Sequence, residues 1–104
     1  MNHSQIFQFT NSIDYSTGGI VSKQVMKNEK GNVTLFAFGK GEGLSEHTAP
    51  FDALIQIIDG QAGIYIGGQL YDLSAGDSII MPANIPHAVK AKEDFKMILT
   101  MIRA

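Results

Sequence analysis

The chain has 104 residues, 44% of them hydrophobic and 17% charged, with a formal charge of −2 and no cysteine. That length suits one domain with a single core and is too short for two. The charge offers no basic surface for nucleic acid or anionic lipid. Without cysteine, disulfides, thiolate catalysis and cysteine zinc sites are all excluded.

The first residues, Met1 to Phe7, lack a basic region followed by a long apolar run, so no signal peptide is expected. No stretch approaches the length needed to span a bilayer, and a cytoplasmic location is the default expectation. Residues 2–19 are hard to read; Ile6, Phe7 and Phe9 suggest an extra edge strand. From there, turn signals recur at short intervals, which is an all-β rhythm. Runs rich in β-branched and aromatic residues lie between them, at 20–26, 33–38, 54–58, 62–66, 79–81 and 95–102. Gly67-Gly68 is the best hairpin turn, because both residues tolerate positive φ. No window carries a helical period.

Two of these strands are apolar on both faces. Val33, Leu35 and Ala37 point one way and Phe36 and Phe38 the other; Phe95, Met97, Leu99 and Met101 alternate with Ile98 and Ile102. A sheet with one wet face would alternate more cleanly. A second copy of the chain is the expected cover, so a twofold homodimer follows, with residues 6–9 adding a strand to the partner's sheet.

The densest segment runs from Gly76 to His87. Gly76-Asp77 opens a turn, Ile79, Ile80 and Met81 form a short strand, and Pro82 and Pro86 stiffen the corner that delivers His87. His47 stands in a similar setting after Gly41 to Glu46. These two segments resemble the paired signature motifs of the cupin superfamily. The first motif reads G-x5-H-x-H-x3-E-x6-G, and Gly41, His47 and Gly60 match it. The second reads G-x5-P-x-G-x2-H-x3-N; Gly76, Pro82 and His87 match, with Asn84 at the second glycine. Asparagine is the next best residue at a left-handed position. The resemblance covers about residues 33–102, with 1–32 expected as N-terminal strands of the same single domain. It implies an antiparallel jelly roll, the double-stranded β-helix, with His47 and His87 meeting in its cavity.

The departures are informative. The family's second histidine falls on Ala49, its glutamate on Ala53 and its last asparagine on Ala91. Only His47 and His87 remain as candidate metal ligands, and two imidazoles make a poor cage. No cofactor is fixed by these residues; a divalent metal held weakly by the two histidines, with water completing it, is the one the resemblance leaves open. If His47 faces inward, Ala49, Ala53, Ile55 and Ile57 share its side, leaving an apolar bowl with Phe36, Phe38, Tyr71 and Met81 as neighbours. Glu46, Asp52 and Gln56 turn away by the same alternation. Two functions follow. One is a binding module holding a small molecule near His47 and His87. The other is an enzyme of isomerase, epimerase or dioxygenase type, using the histidines as metal ligands or as a general base.

Overall fold

A computed structural model describes all 104 residues. Seven strands follow one another: β1 (Ile20–Asn28), β2 (Gly31–Phe38), β3 (Gly43–His47), β4 (Phe51–Ile66), β5 (Gln69–Ser74), β6 (Ser78–Met81) and β7 (His87–Arg103). All pairings are antiparallel, and the fold is a jelly roll. No helix is long and apolar enough to cross a membrane.

The long strands β4 and β7 build the roll. Each pairs with the other twice, Phe51 to Ile57 against Met97 to Arg103 and Ala62 to Ile66 against His87 to Ala91. The register slips between Ile57 and Asp59 and again between Gly60 and Ala62. Such bulges bend a strand and increase its twist, so one pair of strands serves both layers. β1, β2 and β6 extend the first layer, and β3 and β5 the second. The separate runs at 54–58 and 62–66 are thus one continuous strand. β3, which the sequence pattern did not mark, pairs with the first residues of β7.

Alternation sorts the side chains as the sequence predicts. Phe38, Ala53, Ile55, Ile57, Ile64, Met81, Val89, Phe95 and Met97 face the interior and form the main core. Gly67 and Gly68, both at positive φ, close the β4–β5 hairpin.

The N-terminal expectation is corrected. Residues 1–19 contain no strand, only a short 3-10 turn at Phe9–Asn11. They lie on the outer face of the first layer. Ile13 is buried with Leu35, Ala37 and Ile98, and Phe9 and Tyr15 pack beside them. Polar contacts hold the segment down: the Tyr15 hydroxyl donates to Asp59, and the Lys96 ammonium donates to the Thr10 carbonyl at 2.8 Å. Each contact ties it to β4 or β7. The chain's own N-terminal segment therefore covers the apolar outer positions of β2 that suggested a partner subunit. The irregular path buries Ile13, while Ile6 of the expected edge strand stands fully exposed.

Candidate functional site

His47 ends β3 and His87 begins β7, and the two residues are direct cross-strand partners. The corner that delivers His87 is fixed on both sides. Asn84, at φ 64°, donates its N–H to the Ala49 carbonyl at 2.9 Å, and Gly67 donates to the Pro86 carbonyl at 2.8 Å. The left-handed conformation expected for Asn84 is present.

The imidazoles meet edge to face, with Nε2 of His87 3.0 Å from Nε2 of His47. Their other nitrogens are committed. Nδ1 of His47 lies 2.7 Å from the Ser45 carbonyl, and Nδ1 of His87 lies 3.2 Å from that of Ile85. A carbonyl only accepts, so both Nδ1 atoms carry the proton and, in neutral rings, both Nε2 atoms present lone pairs. Two lone pairs facing each other at this distance repel, so the pair is poised to hold a positive centre between the rings; a proton there would make the contact a hydrogen bond, against the burial of His87, which disfavours the charged form.

His87 is buried and His47 is exposed. Burial pushes the His87 pKa below its ordinary 6.5, against the opposing pull of the Ile85 carbonyl, and His47 lowers it further. The unfolded chain therefore takes up a proton near pH 6.5 that folded His87 resists. Its contribution to stability is complete above about pH 6.5 and is lost as pH falls toward the lower folded value. Urea denaturation should show the native chain losing more stability between pH 7.5 and 5.5 than His87→Gln; parallel losses would contradict this.

Behind the histidines lies a cavity of about 60 Å³. Its wall comes from β3, β4, β6, β7 and Ala49, and includes Ala53, Ile55 and Met81. Of its 12 lining residues, 10 are hydrophobic and the other two are His47 and His87. At about 10–15 Å³ per enclosed water, this admits a few small atoms, well short of a drug-sized site. His47, His87, Ile55 and Met81 are thus brought together as expected.

Phe36, Phe38 and Tyr71 are not. No residue of β2 or β5 reaches the cavity. Phe38 stacks on Phe95 with ring centroids 4.6 Å apart, filling the inward row beyond Met97. Phe36 pairs with Met97 on the far side of β7 from β4, and Tyr71 packs opposite Ile64 in the second layer. Ile57 belongs to the core but not to the cavity wall. In their place Leu44, Phe51, Val89, Met97, Leu99 and Met101 line the site. The inward alternation of β7 already marks Met97, Leu99 and Met101; only the pairing of β7 with both β3 and β4 shows that they share a cavity with the histidines.

The donors present do not make a divalent-metal cage. No three His, Cys, Asp or Glu side chains cluster anywhere in the chain. Glu46 is exposed, and the Asp52 carboxylate accepts the Ala83 N–H at 2.9 Å. Two neutral imidazoles fall below the three protein ligands of a catalytic zinc site and the four of a structural one.

The family model for the cupin domain matches residues 34–103. The structure superposes with a TM-score of 0.94 on a conserved protein of unknown function from Streptococcus pyogenes, at 30% identity, covering 100% of this chain and 91% of that one. A cupin 2 conserved barrel domain protein from Leptotrichia buccalis is 39% identical with a TM-score of 0.90, over 93% of this chain and 47% of that one. The chain thus spans about half the length of the Leptotrichia protein. A cupin superfamily protein from Desulfitobacterium hafniense is 26% identical, with a TM-score of 0.92, over 100% and 95% of the two chains. No curated protein matches in sequence.

Proposed function

The chain belongs to the cupin family, and from that premise we propose that it is a binding module whose ligand enters past His47 and seats a small apolar group in the cavity behind the two histidines. The observation that carries this reading is the wall itself, hydrocarbon and thioether throughout apart from one pair of imidazoles at the mouth. A site of that composition recognises shape and size inside and one polar group outside. The cavity of about 60 Å³ limits the buried part to a few heavy atoms, so any larger remainder of the ligand stays outside the barrel.

Fragment screening by ligand-observed NMR on metal-free protein tests this. Binders should carry a short apolar tail beside a polar head. They should be lost from Ala53→Phe, which fills the cavity, and weakened in His87→Gln. Binding that survives Ala53→Phe would place the ligand elsewhere. A second reading, histidine-based proton transfer, is favoured by the direct contact between buried His87 and exposed His47, which gives a cavity proton a route to solvent.

Self-association is a further part of the proposal. The outer face of the first layer carries an uncharged cross-strand row, Met26, Val33, Thr100, Leu54 and Ile80, running through five strands, with its β1–β2 end beside the N-terminal segment. Met26, Ile80 and nearby Ile102 are about 60% exposed (59%, 64% and 61%), and Ile6 is fully so. A second copy related by a twofold axis presents the same row and would cover it. Light scattering should give a dimer mass at micromolar concentration, and Ile80→Lys a monomer; a monomeric native chain would end this part.

A further inference from the structure

We infer that the site selects a neutral ligand whose polar end is a hydrogen-bond donor, in class a short-chain alcohol, and discriminates against carboxylates, ketones and ethers of the same size. The inference rests on the binding-module reading and names the chemistry of the head group. Its first ground is the direction of the hydrogen bonds at the two rings. The Ser45 and Ile85 carbonyls take both Nδ1–H groups, so each neutral ring turns only an Nε2 lone pair toward the other, 3.0 Å away. His87 is only 6% exposed, so water has little access to its side of the contact. Two acceptors at this separation can share one O–H in a three-centre hydrogen bond. A hydrogen placed there relieves the repulsion between the lone pairs.

The second ground is what the cavity lacks. Apart from the histidines, the only lining side chains that carry lone pairs are Met81, Met97 and Met101, and a thioether is a weak acceptor. No lining side chain has an N–H or O–H left to donate. A carbonyl, ether or carboxylate head would give up its hydrogen bonds to water and meet only other acceptors. That desolvation is not recovered.

The third ground is charge. No carboxylate lines the cavity. An ammonium head is also a donor, but its charge would sit beside buried His87 with no counter-ion. The hydrogen of a neutral O–H brings a partial positive charge at a far lower desolvation cost. The wall then holds the alkyl chain, and exposed His47 meets the hydroxyl on the solvent side.

The experiment compares n-butanol with probes of like size: methyl propyl ether, butanone, butyrate and butylammonium. Each is titrated into the full chain at about pH 8, above the ordinary histidine range, and followed by amide NMR shifts. The alcohol should bind roughly tenfold more tightly than the ether or the ketone, the effect of one well-placed hydrogen bond, and the two ions should bind weakest. Long-range proton–nitrogen spectra should show both rings in the Nδ1–H form, with both Nε2 signals moving as the alcohol is added. His47→Leu, at an exposed position, should fold and reduce the preference for alcohol over ether to about threefold or less. An Nε2–H form of either ring, equal affinity for alcohol and ether, an unchanged preference in His47→Leu, or tightest binding by either ion would each overturn the inference. If alcohol and ether bind alike and Ala53→Phe loses both, the cavity reading survives and only the head-group inference falls. If no probe binds, both fall.

Discussion

Gly60→Ala is expected to abolish the folded state. Gly60 lies at φ 78° in the slipped register of β4, directly opposite Phe95. A methyl group there would stand 1.8 Å from the Asp94 carbonyl oxygen and 2.8 Å from the Phe95 Cα. Both contacts are backbone, so no side-chain rotation relieves them. The positive φ alone costs a non-glycine residue about 1–2 kcal/mol. Parting the β4–β7 ladder adds the loss of its hydrogen bonds, and the total approaches the 5–15 kcal/mol that typically holds a domain together. Gly68 is the control: it has φ 82° but nothing within 4 Å of an added Cβ. Gly68→Ala should therefore pay only the backbone cost and fold. Circular dichroism and one-dimensional NMR of both variants check the contrast, and a well-folded Gly60→Ala protein would refute it.

Phe95→Ala should be the most damaging truncation in the core. The rings of Phe95 and Phe38 are fully buried and stacked nearly parallel, with 5° between their planes. Removing a buried phenyl ring costs about 3–5 kcal/mol, and the lost stacking is part of that loss. For a chain of this size that corresponds to a fall in melting temperature of roughly 15–30 °C. Phe36→Ala, at a half-buried ring, should cost clearly less. Calorimetry on the two variants decides; equal losses would mean that the stack has no special place in the core.

The architecture and the two histidines were legible because local signals agree with the global fold. Gly67-Gly68 demands a hairpin, the proline-rich corner demands a stiff turn, and Asn84 tolerates the left-handed conformation it adopts. Alternation placed Phe36 and Phe38 on the inner face correctly, but alternation gives only the side of a sheet. Whether an inward residue reaches the cavity depends on which strand sits beside which, and that is set by pairings between distant segments. Phe36, Phe38 and Tyr71 failed for this reason, and Leu44, Val89 and Met101 were missed for the same one. Residues 1–19 failed for another. Their register is imposed by Ile13 finding the outer face of Leu35, Ala37 and Ile98, a contact with no local pattern.

The double pairing of β4 with β7 also bears on how the chain reaches this state. Their 16 and 17 residues are the spine to which β2, β3, β5 and β6 attach, so the two layers are joined through one pair of strands. The first layer closes only when Phe51 finds Arg103, and closing so long a loop is entropically slow. A topology dominated by such distant pairings folds on the millisecond-to-second scale. Stopped-flow kinetics should give one slow phase shared by both layers. Mutations at the β4–β7 seam should slow refolding, while those in the β4–β5 hairpin should mainly speed unfolding.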